Sequence, residues 1–545
     1  MATEFDLLIR GGAVYDGTGA TPCVGEVGVN GDRVTEVGPI GDARGRIEID
    51  AAGLAVAPGF INMLSWANEA LLHDGRSQSD IRQGVTLEVL GEGQSMGPWN
   101  DAMKRHELEQ QGDVKYEVMW TTLGEYLDHL VGRGVSPNVA SFVGATTARI
   151  HEIGYENRPP TPDELARMRE LIHHAMREGA IGVSSALAYS PAAYADTNEL
   201  IALAEIAAEH GGMYISHMRN EADSLLEAYD EFEEIARRTR ISAEVYHIKA
   251  AGRANWDKLP ELLSRIEEAR AEGLPISADT YAYHASSSGL DATMPPWVQE
   301  GGHKAWVERL RNPTHRAKVK KEIATPTTAW DNFYMSAGGP KNILLVGFKT
   351  DALKPMAGRT LADVAAERGT SPEETAMDLV VEDDSNVAAA FFSMSEDNIR
   401  RKLQTPWISF CSDAQSVATE GVFLKRSPHP RTYGAFARVL GKYVQNENLI
   451  PLQEAVRRLT SLPAFNLKIH DRGRLAKGCF ADIVVFDPAA IKDQATFESP
   501  HQYATGVQHV FVNGVQVLKD GEHTGAKPGR VVRGPGWQGA QNAAI

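Results

Sequence analysis

Two successive strand-like segments that each end in a histidine constrain the fold of this chain more than any other feature. The segment 213–219, Met-Tyr-Ile-Ser-His-Met-Arg, follows a helix-like run and carries His217. A second helix-like run, 221–238, leads to the segment 241–247, which ends at His247. Parallel barrels place their active sites at the C-terminal ends of their strands. The repeat therefore predicts a parallel αβ barrel in which two imidazoles point to one place.

This pair of histidines has two interpretations. Imidazole is the commonest protein ligand for zinc, so the pair is typical of a metal site. A single histidine at a strand end is more often a polar cap, or a core residue with satisfied hydrogen bonds. Two of them in successive units, with Lys249 just beyond the second, give the metal site equal weight with this alternative, and the rest of the chain must decide between them.

The stretches around this pair alternate between helix-like and strand-like patterns. Thr161-Pro-Asp-Glu has the residues of a capping box with proline in the first turn, which predicts a helix start. The segment 179–185 then resembles a strand, and 407–413 is apolar until Ser412 and Asp413 at its end. Repeating units of this kind predict a parallel sheet, and about eight of them close into a barrel.

Both ends of the chain are rich in strand-forming residues. Asn30-Gly31-Asp32 lies between two such arms near the N-terminus and predicts a hairpin. The segments 482–488 and 507–518 show the same composition near the C-terminus. One sandwich built from both ends accounts for this symmetry, and two separate β appendages are the alternative.

The middle of the chain loses the alternating pattern over residues 285–400, which are richer in charge and proline. We interpret this stretch as an inserted subdomain and a candidate lid. The sequence thus predicts five segments, which are the N-terminal part of the sandwich (1–57), the first part of the barrel (58–284), the inserted subdomain (285–400), the last part of the barrel (401–470), and the C-terminal part of the sandwich with the tail (471–545).

Length and composition limit the class of protein. At 545 residues the chain is too long for one simple core and suits a large barrel with accessory domains. A net charge of −17 argues against a nucleic-acid partner, which requires a basic face. Three cysteines imply no disulfide framework. Because no signal-peptide pattern and no membrane-length apolar run is visible, we expect a cytoplasmic protein without a membrane partner; a homo-oligomer is compatible with these observations.

A series of short motifs, in order along nearly the whole chain, carries a family resemblance. The motifs are Leu8-Ile-Arg-Gly-Gly, Ala57-Pro-Gly-Phe-Ile, Gly84-Val-Thr, Tyr189-Ser-Pro, Tyr214-Ile-Ser-His-Met-Arg, Tyr246-His-Ile-Lys, Asp279-Thr-Tyr-Ala-Tyr, Ser412-Asp, His429-Pro-Arg-Thr-Tyr-Gly and Ala481-Asp-Ile-Val-Val-Phe-Asp-Pro. With them the chain resembles the N-acyl-D-amino-acid deacylase (D-aminoacylase) branch of the amidohydrolase superfamily. The resemblance implies a distorted (β/α)8 TIM barrel with a β-sandwich from both termini. It also implies hydrolysis of the amide of N-acyl amino acids with one or two zinc ions.

The resemblance further implies roles for single residues. The two strand-end metal histidines of the family fall on His217 and His247. Its catalytic aspartate, at the end of the last barrel strand, falls on Asp413. Its contacts to the substrate carboxylate fall on Lys249, Tyr283 and Arg431. One further pocket position falls on Tyr189.

The chain departs from the family pattern at two places. The family carries a His-x-His pair after its Pro-Gly-Phe-Ile-Asp strand, but those positions hold Leu64 and Trp66, which cannot bind zinc. His73 lies nearby, without a spacing that makes it a substitute. The family's bridging cysteine is also missing. Its position, after one deletion, holds Glu92, and a carboxylate is a competent zinc ligand. A salt-bridged glutamate at a strand end is the alternative.

These residues together suggest a chemical mechanism. A catalytic zinc needs three protein ligands and an open position for water, and His217, His247 and Glu92 form such a set. Asp413 would act as general base toward the water and then as general acid toward the leaving amine. The planar guanidinium of Arg431 suits a carboxylate on the substrate.

The sequence thus predicts a zinc-dependent amidohydrolase, with a single Zn²⁺ per chain, that acts on N-acyl amino acids or related small molecules carrying a carboxylate. A second hypothesis keeps the site but changes the bond, to another small amide, a cyclic imide or a dipeptide. A third is a non-catalytic binding protein on a decayed hydrolase scaffold, which the missing His-x-His pair motivates. Retention of the two histidines, Asp413 and Arg431 argues against the third.

Overall fold

The computed structural model describes residues 4–539. Its strands, in chain order, are β1 (Glu4–Val14), β2 (Cys23–Asn30), β3 (Arg33–Gly38), β4 (Arg44–Asp50), β5 (Ala55–Pro58), β6 (Phe60–Asn62), β7 (Val85–Leu90), β8 (Asn138–Ser141), β9 (Val143–Gly144), β10 (Gly182–Ala186), β11 (Met213–His217), β12 (Ser242–Val245), β13 (Ile276–Thr280), β14 (Ser286–Gly289), β15 (Ile343–Gly347), β16 (Ala388–Phe391), β17 (Ile408–Phe410), β18 (Ile483–Phe486), β19 (Val507–Val512), β20 (Val515–Lys519) and β21 (Glu522–His523).

The α-helices, in chain order, are α1 (Asn68–His73), α2 (Gln78–Ile81), α3 (Asp101–Gln110), α4 (Leu123–Arg133), α5 (Ala145–Glu152), α6 (Pro162–Arg177), α7 (Thr197–Glu209), α8 (Leu225–Thr239), α9 (Leu259–Ala271), α10 (His303–Arg311), α11 (Pro313–Ile323), α12 (Phe333–Ser336), α13 (Leu361–Arg368), α14 (Pro372–Asp383), α15 (Glu396–Gln404), α16 (Arg431–Arg438), α17 (Leu452–Leu459) and α18 (Ser461–Asn466). A π-helical segment, Val439–Asn446, continues α16.

Local sequence signals set several helix ends. Thr161 accepts a hydrogen bond from the backbone N–H of Glu164, and its own N–H donates to the Glu164 side chain. Helix α6 therefore begins with the predicted capping box, and α4 and α14 begin in the same way. Each such cap satisfies backbone donors that the first helical turn leaves free, which contributes about 1 kcal/mol.

Eight parallel strands form the barrel, if β8 and β9 count as one strand interrupted at Phe142. One sheet has the order β6-β7-β8, and the other has the order β9-β10-β11-β12-β13-β17. The ring closes beyond β6 and β17, where the Asp413 N–H donates to the Leu64 carbonyl and the Trp66 N–H donates to the Ala414 carbonyl, both at 2.9 Å. The C-terminal ends of all these strands therefore meet at one face, as the sequence predicts.

The interior of the barrel is a packed core. A buried cluster takes apolar side chains from most of the strands, among them Ile61, Leu87, Ala140, Val89, Ile215 and Tyr246. Helices α4 to α9 pack their apolar faces against the outside of the strands in a second, larger cluster. The rigid scaffold places the strand ends, and the side chains on them, in fixed positions.

Both ends of the chain build one nine-stranded sheet. Its order is β21-β20-β19-β18-β5-β1-β2-β3, with β4 paired to β1. The short strand β5 lies between the two terminal parts, because it pairs with β18 on one side and with β1 on the other. The predicted hairpin joins β2 to β3, and Gly31 supplies the positive φ of 59° that its turn needs. The expected sandwich is thus one continuous sheet around an apolar core.

Residues 285–400 contain the antiparallel sheet β14-β16-β15 and the helices α10 to α14. Their apolar side chains form a core of their own, and Tyr189 of the barrel packs against it. The limits of the five predicted segments stay a prediction. Within residues 4–539, no helix is long and apolar enough to cross a membrane.

Candidate metal centre and active site

Three ligand-type side chains converge at the C-terminal ends of neighbouring strands. One carboxylate oxygen of Glu92, Oε1, lies 3.2 Å from His217 Nδ1 and 3.1 Å from His247 Nε2. The three side chains are 2% to 4% exposed. Within the described part of the chain, this is the group of three whose ligand atoms all lie within 4.8 Å of one another.

The backbone around two of the three residues, Glu92 and His247, has unusual conformations. Glu92 lies between Gly91 and Gly93, whose φ values are +95° and +63°. A Cβ on Gly91 would lie 2.4 Å from the Phe142 carbonyl oxygen, so only glycine fits this close approach. His247 has a φ of +35°, a costly conformation for a histidine, and its N–H donates to Asp279 Oδ1 at 2.7 Å.

The electrostatics of the group favour a cation between its members. Burial alone would raise the pKa of Glu92, but its hydrogen bonds with His217 and His247 hold the pKa well below the usual range. Burial and Lys249 lower the pKa of His247, but the carboxylates of Glu221 and Asp413 more than offset them and raise it to about 10. Carboxylates that stabilise a proton on this ring also stabilise a metal ion that replaces the proton.

The donor set fits a zinc ion. With zinc–ligand distances of about 2.0–2.1 Å, neighbouring ligand atoms of a tetrahedral site lie about 3.3 Å apart, close to the separations around Glu92 Oε1. The second oxygen, Oε2, is buried and has no hydrogen-bond partner among residues 4–539. Two nitrogens and one carboxylate leave a fourth position open, which is typical of catalytic zinc.

A second carboxylate lies behind the two imidazoles. Glu221 Oε2 is 3.3 Å from His217 Nε2, and Glu221 Oε1 is 3.3 Å from His247 Nδ1. Lys249 donates to both oxygens of Glu221, at 2.8 and 2.7 Å. Sequence reasoning missed this residue because it placed Glu221 at the start of a helix. The helix α8 begins only at Leu225, so Glu221 lies in the loop after β11.

Asp413 and Arg431 form the next pair along the ring. Arg431 donates from one terminal nitrogen to Asp413 Oδ2 at 2.5 Å, and both side chains are buried. The guanidinium also lies over the ring of Tyr281, at 4.6 Å from its centroid. Its Nε is buried and has no acceptor among the described residues. A buried donor without a partner is rare in proteins, and here it leaves Arg431 able to bind another anion.

Asp413 lies just beyond β17, where the barrel ring closes. Its φ is +49°, a left-handed conformation that is uncommon for residues other than glycine. Its N–H donates to the Leu64 carbonyl at 2.9 Å. The surrounding structure therefore holds this carboxylate in one orientation despite the backbone cost, as is common at functional sites.

The two predicted tyrosines contact different parts of this region. The Tyr189 ring meets the His217 ring edge to face at 5.0 Å, and its hydroxyl accepts a hydrogen bond from Ser288 at 3.1 Å. The Tyr283 hydroxyl lies 3.5 Å from the Pro430 carbonyl, and the Arg438 guanidinium covers its ring. The structure thus brings Tyr189 against the candidate metal centre, and places Tyr283 beside Pro430, which precedes Arg431 at the start of α16.

The positions of the family's missing His-x-His pair lie on the apolar side of the same opening. Leu64 is fully buried in the core cluster of the barrel interior. Trp66 is 46% exposed. His73 lies at the end of α1 with its ring against Phe423, away from the three ligand-type side chains. The strand that would supply the second set of ligands therefore contributes packing at Leu64.

Residues 285–400 contribute to the surroundings of the site. Ser288 donates to Tyr189, and the Ser287 carbonyl lies 3.4 Å from a terminal nitrogen of Arg431. Asp331 accepts a hydrogen bond from the backbone N–H of Glu221 at 2.8 Å. Sequence reasoning could not assign these contacts, because they join residues 99 to 144 positions apart.

Comparisons with known proteins agree with this arrangement. A model of the amidohydrolase family matches residues 48–518. A D-aminoacylase from Alcaligenes xylosoxydans xylosoxydans is 33% identical over 97% of this chain and 97% of its own length.

Two solved structures are also similar. One is a D-aminoacylase with a binuclear metal centre, described by one-metal activation and second-metal attenuation, with a TM-score of 0.81 and 32% identity over 97% of this chain and 100% of its own. The other is an N-acyl-D-glutamate deacylase from Bordetella bronchiseptica with zinc and a phosphonate that mimics the tetrahedral intermediate. Its TM-score is 0.80, with 30% identity and the same coverage.

The family match covers most of the chain, and a relative above 30% identity covers nearly all of it. Both findings agree with a barrel whose strand ends carry a cluster of side chains that could hold a metal ion. This chain belongs to the amidohydrolase family.

Proposed function

We propose that the protein hydrolyses the amide bond of N-acyl-D-amino acids with one metal ion held by Glu92, His217 and His247. The observation that carries the proposal is the convergence of these three ligand atoms at the strand ends, within 3.2 Å of the shared carboxylate oxygen. A zinc ion held there would supply a Lewis acid toward the scissile carbonyl and a water of lowered pKa.

In this proposal, Asp413 carries the proton. Its Oδ2 is engaged by Arg431, so Oδ1 is the oxygen that accepts the proton of the attacking water. The same oxygen then gives the proton to the leaving amine nitrogen, which completes the hydrolysis without a net change in the protonation of Asp413. The left-handed backbone of Asp413 fixes the direction from which this transfer occurs.

We assign recognition of the substrate carboxylate to Arg431. The unpartnered Nε supports this role, since a carboxylate arriving there would satisfy a buried donor. Tyr189 and Tyr283 form walls of the substrate site. Lys249 adds positive charge from behind the metal ligands.

The choice of D-configured substrates rests on the relatives, because the aminoacylase and the glutamate deacylase both carry that configuration in their names. We further propose a cytoplasmic location, which fits the free thiols of Cys23, Cys411 and Cys479. The net charge of −17 supports a protein without a nucleic-acid partner. Assembly into a homo-oligomer and the absence of a membrane partner stay predictions.

A panel of four compounds tests the proposal on the zinc-loaded protein. It contains N-acetyl-D-leucine, its L enantiomer, N-acetyl-D-leucine amide and N-acetyl-D-glutamate, with release of the free amine as readout. We expect kcat/KM for N-acetyl-D-leucine to exceed that for the uncharged amide by roughly 10- to 100-fold, the value of a charge-assisted hydrogen bond. Equal rates on the acid and the amide would remove Arg431 from recognition. No hydrolysis of any N-acyl compound would reject the function itself.

A further inference from the structure

We infer that Glu221, clamped by Lys249, is a positioning residue that orients both metal-ligating imidazoles. The inference deepens the proposed function and rests on the metal site proposed above. It gives Lys249 a role different from contact with the substrate. The evidence is the placement of one carboxylate against the rear nitrogens of both histidines.

Each imidazole has one ring nitrogen near Glu92 and the other near Glu221. His217 presents Nδ1 to Glu92 and Nε2 to Glu221, and His247 presents Nε2 to Glu92 and Nδ1 to Glu221. If the front nitrogens bind a metal ion, each ring must carry its proton on the rear nitrogen. Glu221 is then the acceptor for both rear protons. Such carboxylate–histidine–metal arrangements fix the tautomer and the ring orientation, and increase the basicity of the ligand.

The rear nitrogen of His217 shows why an outer carboxylate is needed. His217 Nε2 is buried and makes no hydrogen bond within the described residues. It lies 3.3 Å from Glu221 Oε2, so a small rotation of the ring is enough to form that bond. Without Glu221, a buried ring N–H would be left without an acceptor, which costs about 1–3 kcal/mol.

Three residues hold Glu221 in place through four hydrogen bonds. Lys249 donates to both carboxylate oxygens, at 2.8 and 2.7 Å. The Glu221 N–H donates to Asp331 at 2.8 Å, and its carbonyl accepts from the Ala251 N–H at 2.7 Å. The side chains of Glu221 and Lys249 are only 3% and 4% exposed. A buried carboxylate held at both its backbone and its side chain is preorganised to receive the two ring protons.

The position of Lys249 also explains its limited access to a substrate. Its Nζ lies 2.6 Å from His247 Nδ1, in addition to its two bonds with Glu221. An ammonium group can only donate, so in this arrangement His247 Nδ1 is the acceptor and carries no proton. A metal ion at Nε2 would require the ring proton on Nδ1, and the ring would then have to turn from Lys249 toward Glu221 Oε1, which is 3.3 Å away.

The test compares zinc dissociation constants, measured by competition with a chelator of known affinity, in four forms of the full chain. The forms are the wild type, Glu221→Gln, Lys249→Met, and the control Glu199→Gln. Glu199 is matched because it is also a buried glutamate paired with a cation, Arg149, but lies in α7 outside the site. The visible spectrum of the cobalt-substituted forms serves as a second readout of ligand geometry.

We expect Glu221→Gln and Lys249→Met to weaken zinc binding by roughly 10- to 100-fold and to change the cobalt spectrum, because outer carboxylates typically have effects of this size. The control should keep the zinc affinity of the wild type. Zinc affinity and cobalt spectra unchanged in both site variants would overturn the inference while leaving the proposed function intact. A wild-type protein that binds no zinc would instead reject both.

Loss of folding does not prevent the test. If a single variant fails to fold, the double variant Glu221→Gln/Lys249→Met removes both charges and leaves neither one buried alone. We expect the double variant to show the same weakening of zinc binding as the single variants. Wild-type zinc affinity in the double variant would contradict the inference equally well.

Discussion

The two sides of the barrel opening differ in the side chains that they present. The side formed by the ends of β11 and β12 presents His217 and His247 to Glu92, and some of the buried polar atoms there are left without hydrogen bonds. The side formed by the end of β6 presents Leu64, which is buried in the apolar core.

The backbone of the second side is also fully engaged. The carbonyl of Leu64 and the N–H of Trp66 are bonded to the residues around Asp413, and these bonds close the barrel. A metal ion needs lone pairs that are not already used, and among residues 4–539 the grouped ligand atoms of Glu92, His217 and His247 lie on the first side. We therefore describe the opening as one polar half-site and one structural half-site, and we expect one metal ion rather than two.

We expect the largest effect, on zinc content and on kcat/KM, from removing a proposed ligand on the polar side. His247→Ala removes one of three proposed ligands, so we expect loss of bound zinc and a fall in kcat/KM of about 10³-fold or more, the value of several kcal/mol of transition-state stabilisation. His73→Ala, which changes a histidine outside the ligand set, should keep both. Elemental analysis and hydrolysis of N-acetyl-D-leucine measure the two quantities. Retained zinc in His247→Ala would show that the ligand set is different.

The next effect separates proton transfer from metal binding. Asp413→Asn keeps the size and the contact with Arg431, but it removes the basic oxygen. We expect kcat to fall by about 10²- to 10⁴-fold with zinc content unchanged. Single-turnover kinetics beside elemental analysis measure this. Undiminished turnover in Asp413→Asn would assign the proton transfer to another group.

A smaller effect is expected on substrate binding. Arg431→Met should raise KM for N-acetyl-D-leucine by roughly 10- to 100-fold and leave kcat/KM for the uncharged amide much less affected. Arg472→Met is the matched control, since Arg472 is also buried beside an aspartate, Asp482, but lies over the ring of Phe480 and belongs to none of the proposed site contacts. Equal losses on both substrates would indicate that Arg431 acts only by holding Asp413.

Substitutions on the apolar side should lower the free energy of unfolding. Leu64→Ala removes a fully buried side chain, so we expect the free energy of unfolding to fall by about 2–5 kcal/mol. Trp66→Ala should cost less, because this side chain is 46% exposed. Both variants should keep the zinc content of the wild type. Urea unfolding gives the free energies, and a loss of zinc in Leu64→Ala would contradict the division into two half-sites.

The smallest effect concerns pH. Glu69 lies in α1, just after Trp66, where burial first and then Glu107 raise its pKa to about 7. The folded protein therefore keeps a proton that the unfolded chain loses near its usual pKa of about 4.5, so this group destabilises the fold as pH rises from about 4.5 to 7. In the wild type, this group should lower the free energy of unfolding by roughly 1–2 kcal/mol between pH 5 and pH 8, and Glu69→Gln should not show this decrease. Parallel stability curves for the variant and the wild type would show that Glu69 is solvated.

Features set by short-range chemistry could be predicted from the sequence. The capping box at Thr161, the hairpin at Gly31 and the histidines at consecutive strand ends all follow from residues a few positions apart. The same reasoning predicted the barrel and the joint origin of the terminal sheet. The roles of the predicted site residues remain proposals, although His217, His247 and Glu92 do lie together.

Features set by long-range contacts could not be predicted. The sequence pattern predicts Glu221 as the first residue of a helix, but Lys249 and Asp331 hold it in the loop before α8. The pairing of Asp413 with Arg431 depends on how α16 is placed, which no local pattern encodes. The sequence also contains no signal for the contact between Ser288 and Tyr189.

The number of zinc ions per chain tests the central claim most directly. The protein and its Glu92→Ala variant would be saturated with zinc, freed of loosely bound metal, and measured by elemental analysis. We expect about one zinc ion per chain in the wild type and far less than one in the variant. Two ions per chain, or one that persists without Glu92, would contradict the division into one polar and one structural half-site.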